Sequence, residues 1–281
     1  MPKLILAFLM FVSIETYSQT KPDSTAPPWK QSLVAGLNLT QVSYTNWQGG
    51  GQNALAYSTL ANGRSTYNDT SLNWDNVYDF AFGQTRLGDQ GLRKTDDKID
   101  ISSTLTYKVG TFLNPYANAT LKTQFAKGFT YDAFGNGMEV SKFFDPGYLT
   151  QTAGVGYQPL TEVKLRLGTG FREIITSAFT VYASDPPPAP QQKTRVDGGI
   201  EFDSDIAWNL AANLQLVSSF QFFAPYTTLD QIVVRGDNTL TAKVSKYIVV
   251  SLDVQLINEK RVTPDTQYKQ SLAMGLSYTV F

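Results

Sequence analysis

From Ser32 onward the chain alternates apolar and polar residues with a period of two. In one of the clearest segments Leu72, Trp74, Tyr78, Phe80 and Phe82 share one parity, and Asn73, Asp75, Asp79, Ala81 and Gly83 the other. Successive side chains of an extended strand point to opposite faces, so such a segment has one greasy face and one small or charged face. Ile99, Ile101, Leu105, Tyr107 and Val109 alternate in the same way with Asp100, Ser102, Thr104, Thr106 and Lys108. Further runs fall at Val163, Leu165, Leu167 and Phe171, and at Val196, Ile200, Phe202 and Ile206. Two more contain Leu214, Leu216, Phe220 and Phe222, and Val250, Leu252, Val254 and Leu256. No segment has a helical period, and the expected fold class is all-β.

The strand and turn signals predict about twelve strands. They run at 33–45, 52–62, 72–86, 97–109, 116–130, 147–157, 161–177, 194–207, 210–224, 236–246, 248–258 and 267–281. Connections at 110–115, 158–160, around Trp208 and around Lys246 read as tight, whereas 87–96, 131–146, 179–193, 224–235 and 258–266 read as longer and polar. Short and long connections mostly alternate, and an even strand count returns both ends to one side. Two stretches break the alternation. The glycine-rich tip "NWQGGGQN" is short on the long-loop side, and 63–71 is long where a short turn is expected. A soluble sandwich also alternates, but this distribution of connections favours a single transmembrane antiparallel β-barrel, about twelve strands, with up-and-down topology.

Lys3 precedes an apolar run from Leu4 to Ile14, and the small residue Ser18 ends a Thr16-Tyr17-Ser18 sequence that resembles a signal-peptidase site. The expected organisation is therefore a signal peptide at 1–18, a polar Pro-containing lead-in at 19–32 and an outer-membrane barrel at 33–281. Trp47, Trp74, Tyr78, Tyr107, Tyr116, Phe129, Phe143, Phe144, Trp208 and Tyr278 stand near strand ends or in outward register, where aromatic girdles form. The last strand, "QSLAMGLSYTVF", puts Leu272, Met274, Leu276, Tyr278 and Val280 on one face, with Phe281 one position out of step. It is similar to the C-terminal assembly signal of outer-membrane barrels.

Composition narrows the chemistry. The 281 residues carry a formal charge of -1 and include neither Cys nor His. The charge balance and the absence of a Lys/Arg cluster argue against nucleic acid as a partner. Thiolate and imidazole metal sites, Ser/His/Asp triads and Cys nucleophiles are unavailable. The reading calls for no cofactor. Its expected partners are outer-membrane lipid, the barrel assembly machinery during biogenesis, and an envelope protein that the sequence does not identify.

Four stretches together resemble domain of unknown function 3078, an uncharacterised outer-membrane β-barrel family of the Bacteroidota. They are "NLTQVSYTNWQGGGQNALAY" at 38–57, "SKFFDPGYLTQTAGVGYQP" at 141–159, "NTLTAKVSKYIVVSLDVQL" at 238–256 and "LAMGLSYTVF" at 272–281. The resemblance implies a barrel in the outer membrane and supplies no activity, ligand or site residue.

The candidate functional residues are the inward charges Asp75, Asp79, Arg166, Arg172, Asp197, Glu201, Asp203 and Asp205. Hairpin closure across 179–193 is expected to bring Arg166 near Asp205, and Arg172 near Asp197 or Gly199. Such rows line a pore with transverse fields, or they form a salt-bridged plug. Carboxylates two residues apart on a strand, roughly 7 Å by strand rise, also suit acid/base work in principle.

The phosphate-loop reading of "NWQGGGQN" fails, because no helix follows it and no Lys-Ser or Lys-Thr closes it. The glycines suit a hairpin turn. Val42 and Tyr44 depart from the parity of Leu33, Ala35, Leu37 and Leu39, which calls for a bulge near Thr40 or Gln41. The leading function is a non-enzymatic outer-membrane barrel, a narrow channel or a scaffold subunit of a cell-envelope complex. The alternatives are a membrane-embedded carboxylate-based lipid-modifying enzyme and a soluble exported β-sandwich binding protein.

Overall fold

A computed structural model describes residues 29–44, 48, 51–185, 187–229 and 231–280. The expected leader at 1–18, the lead-in up to residue 28, Trp47 and Phe281 lie outside the described residues. Twelve strands close into one antiparallel barrel. In chain order they are β1 (Trp29–Val42), β2 (Ala54–Asn68), β3 (Leu72–Leu87), β4 (Arg93–Tyr107), β5 (Leu113–Thr123), β8 (Gly147–Leu160), β9 (Val163–Ile175), β10 (Thr194–Ala211), β11 (Leu214–Pro225), β12 (Val233–Lys243), β13 (Ile248–Asn258) and β14 (Gln267–Thr279). A separate hairpin, β6 (Gly128–Tyr131) and β7 (Gly137–Ser141), occupies the connection between β5 and β8. Each barrel strand pairs with its chain neighbour, and β14 returns to β1.

Tight connections gather at one rim together with the start of β1 and the end of β14. The stretch expected as a long connection at 63–71 belongs mostly to β2, which runs on to Asn68. Asp69 makes the turn short, because its carboxylate accepts the backbone N–H groups of Ser71 and Leu72, both at 2.7 Å. A local side-chain acceptor of this kind substitutes for a longer loop. Trp208 lies within β10, and the turn follows at 212–213.

The fifth expected strand is two elements. β5 ends at Thr123, and Asp97 explains the break by accepting the N–H groups of Phe125 at 2.7 Å and Ala126 at 2.9 Å. Lys127 therefore stands in the connection leading to β6, outside the barrel wall, where it pairs with Glu139 at 2.8 Å.

The β1–β2 ladder runs without a shift from Trp29↔Tyr67 to Val42↔Ala54, so the expected bulge is absent. Val42 simply takes the lumen parity near the long-loop rim. The outward surface is apolar and aromatic, with Trp74, Leu105, Tyr107, Leu167, Phe202, Trp208, Phe222 and Tyr278 all exposed. Near the tight rim Trp29 packs against Tyr67 and Trp74 at centroid distances of 5.4 and 5.5 Å. Tyr116 departs from the expected girdle. It shares the inward parity of Asn118 and is buried against Gly168, where an added Cβ would come within 2.6 Å of its hydroxyl.

β8 and β9 approach closely through glycine. A Cβ at Gly170 would stand 1.9 Å from the Gln151 carbonyl oxygen, and one at Gly154 would stand 2.1 Å from that of Leu167. Only a missing side chain permits this wall geometry. Gly170→Ala is expected to destabilise the folded barrel by about 1–3 kcal/mol, lowering the temperature at which its compact gel band converts to the unfolded one. Gly91→Ala, with nothing within 4 Å of the new Cβ, is expected to leave that temperature unchanged.

Candidate functional site: the barrel lumen

Strand alternation delivers one side chain in two to the interior, and the ladder register decides which of them meet. β9 and β10 run antiparallel with Arg166 opposite Asp203 and Arg172 opposite Asp197. The inward charges then distribute over three heights, so the eight candidate residues do not form one constellation.

Toward the tight rim, Arg64 of β2 holds Asp75 of β3 through two nitrogens, the Nε at 2.7 Å from Oδ1, and Thr66 donates to the same carboxylate at 2.8 Å. Lys164 reaches Asp75 from β9 at 3.8 Å, across three intervening strands. Arg166 Nη2 lies 2.8 Å from Asp205 and its Nε 3.4 Å from Asp203, while Ser219 donates to Asp205 at 2.8 Å. A cavity of about 790 Å³ opens among these residues.

At mid-height Glu201 is fully buried, and it accepts hydrogen bonds from Thr152 at 3.0 Å and Gln221 at 2.9 Å. Asp79 shares this level with Lys98, Asp100, Lys122 and Asp237. Lys122 pairs with Asp100 at 3.4 Å, and Gln255 donates to Asp237 at 2.7 Å. A second cavity of about 300 Å³ lies above, lined by Lys94, Lys98, Lys122, Arg235, Asp237 and Lys269.

The third height lies under the long loops, where the connection after β13 folds inward. Glu259 is 2% exposed and receives Arg172 at 2.9 Å, Arg261 at 3.0 Å and Arg235 at 3.3 Å. Arg172 stands opposite Asp197 in register, as expected, but its guanidinium pairs with Glu259. Asp197 is already engaged by Arg195 at 2.8 Å and Arg261 at 3.1 Å. Tyr148 of β8 supports the cluster, with the Arg235 guanidinium 4.5 Å from its ring centroid across three strands.

Burial alone would raise the Glu259 carboxyl, but the positive charges of Arg172, Arg235 and Arg261 hold it well below the usual carboxylate range. Outside the barrel, Asp145 ties two loops together. It accepts Ser177 Oγ at 2.6 Å and the N–H groups of Ser177 and Ala178 at 3.0 and 2.8 Å. These bonds outweigh its burial and lower its pKa.

Sequence reasoning missed Glu259, Arg261, Arg235, Arg195 and Tyr148. Alternation alone could have supplied Arg195 and Arg235, which share the inward parity of Asp197 and Asp237. The inward fold of the Glu259 loop carried no such signal. The adjacent carboxylates Asp96 and Asp97 of β4 are both engaged by protein groups: Asp96 pairs with Lys269 at 2.7 Å, and Asp97 pairs with Lys94 at 2.8 Å. Among the described residues no cluster of three acidic side chains is arranged to hold a metal ion.

The family model described as "Protein of unknown function (DUF3078)" matches residues 39–129. That span contains most of the first stretch on which the sequence resemblance rests. No curated protein matches the chain. Among solved structures, the COG4313 outer membrane channel from Pseudomonas putida F1 is similar at 10% identity and a TM-score of 0.41, covering 93% of this chain and 99% of that one. The translocator domain of the autotransporter NalP from Neisseria meningitidis is similar at 10% identity and a TM-score of 0.36, covering 91% and 90%. The NanC porin gives 8% identity and a TM-score of 0.40, covering 88% and 98%.

Removing one partner of a buried ionic cluster leaves charges unpaired, at a cost of about 3–5 kcal/mol. Glu259→Gln is therefore expected to release the 259–266 loop, freeing the buried Arg261 side chain so that trypsin cleaves after it at pH 7 while the native chain resists there. Because the folded pKa of Glu259 is depressed, its contribution is present above the ordinary glutamate value of about 4.3 and is lost as pH falls through the lower folded value. An environment-sensitive dye on Thr263→Cys should accordingly report loop release only on the acid side of that ordinary value.

Proposed function

We propose that this protein is a non-enzymatic integral outer-membrane β-barrel whose lumen is closed along its axis, serving as a scaffold subunit of a cell-envelope complex. A closed wall satisfies backbone groups between strands, and its outward face of Trp, Tyr, Phe and Leu suits contact with hydrocarbon. The observation that carries the closed-lumen reading is the set of contacts that cross the interior. Lys164 reaches Asp75 at 3.8 Å, Arg235 stacks on Tyr148 and Lys269 pairs with Asp96 at 2.7 Å, each pair separated by three strands of the wall. Opening an axial path requires breaking these contacts at successive heights.

The non-enzymatic part rests on how the carboxylates are engaged. Asp75, Asp203 and Asp205 are each within salt-bridge distance of a cation, and Glu201 is held by two neutral donors. None of these four is a free base, and Asp79 stands in the field of Lys98 and Lys122. A narrow channel for small polar solutes is the second reading, favoured by the 790 Å³ cavity with charges of both signs on its wall.

Planar-bilayer recording separates the two. The native protein is expected to give no sustained conductance at neutral pH, and a Lys164→Ala/Arg235→Ala/Lys269→Ala variant that retains its compact gel band is expected to give measurable steps. Steady open-channel current from the native protein would replace the scaffold with the channel.

A further inference from the structure

The wall is unevenly closed. Among the described residues, the β1–β14 ladder holds four residue pairs, Val34↔Thr279, Ala35↔Tyr278, Gly36↔Ser277 and Leu37↔Leu276. Every other ladder of the barrel holds between 8 and 15. Continuing the seam's register would set Leu39 opposite Met274 and Gln41 opposite Leu272, yet those residues are not paired. Each strand nevertheless keeps its other neighbour. β1 follows β2 up to Val42↔Ala54, and β14 follows β13 up to Ile257↔Gln267. The unpaired stretch is therefore a slit between two intact walls, closed toward the tight rim by the four pairs.

Leu39, Leu272 and Met274 stand on the outward face beside the unpaired stretch and are exposed. The cavity of about 300 Å³ is lined mostly from β4, β5, β8, β12 and β13, and β14 contributes Lys269 to it. Lysine, arginine and aspartate line that space, and leucine and methionine flank the unpaired stretch of β14 and β1. At membrane depth, unpaired strand edges are tolerated only where they line a polar cavity. The slit thus offers backbone donors and acceptors and charged side chains on the inside, with apolar contact on the outside.

We propose that this seam is a lateral portal through which an acyl-chain amphiphile binds, its polar head in the upper cavity near Lys269 and its chain between Leu39, Leu272 and Met274. The proposal rests on the membrane-barrel reading and goes beyond it, since an axis closed by ion pairs leaves the cavity open to the lipid phase through its side.

The chain has no cysteine, so paired cysteines report the seam directly. A disulfide needs Cα atoms within about 7 Å. In vesicles, oxidation is expected to close Ala35→Cys/Tyr278→Cys and to leave Leu39→Cys/Met274→Cys open; equal closure of both would show a sealed seam and overturn the portal. A diazirine-bearing palmitate is then expected to photolabel the Lys269 segment. That labelling should fall several-fold when Leu39→Cys/Met274→Cys is bridged by a bismaleimide, and should hold when the Ala35→Cys/Tyr278→Cys disulfide forms. Labelling that ignores the bridge, or never reaches the Lys269 segment, would overturn the binding site. Heat-shifted gel mobility of the same samples tests the barrel separately.

Discussion

Everything in this molecule follows from the need of each strand to find its backbone partners in a neighbouring strand. Where water is excluded, an unpaired N–H or C=O costs several kcal/mol. The chain meets that demand with twelve strands in a closed ring, so alternate residues are free to be polar. This is how a sequence with 17% charged residues and no long apolar run builds an apolar exterior. The demand is met least at the β1–β14 seam, where four residue pairs close the ring.

The interior obeys a second rule, that charge removed from water must be paired. Long basic side chains span a barrel of this width, so Lys164, Lys269 and Arg235 reach across to partners on distant strands. The Glu259 cluster is the extreme case. Three guanidinium groups converge on one buried carboxylate, and two of them, Arg172 and Arg261, each keep one buried nitrogen without a hydrogen-bond partner. A cluster so strained by desolvation holds the loop because leaving any member unpaired costs more than keeping all of them.

Strand number, order and parity were legible in the sequence because a period of two is a local signal with a geometric cause. The proximity of Arg166 to Asp205 was legible for the same reason, although the ladder sets Arg166 opposite Asp203, two residues away. What escaped was set by single polar side chains acting at a distance. Asp69 shortens one turn, and Asp97 ends β5 by capping Phe125 and Ala126 from another strand. The inward fold of Glu259 depends on arginines drawn from two strands and from its own loop, a coincidence in space that no spacing in the chain records. Tyr116 was misjudged as a girdle residue because an aromatic near a strand end reads the same whether it faces lipid or lumen.

The turn at Asp69 does more than shorten a connection. Lys108, at the start of the β4–β5 turn, donates to the Asn68 side chain at 2.6 Å and to the Asp69 carbonyl, and its own N–H reaches the Ser71 carbonyl at 2.8 Å. Adjacent hairpins are thereby stitched together at the rim where the seam is also zipped. The rim that carries the tight turns is thus tied both across its hairpins and across the seam, so local opening of the wall costs more there than at the long-loop end.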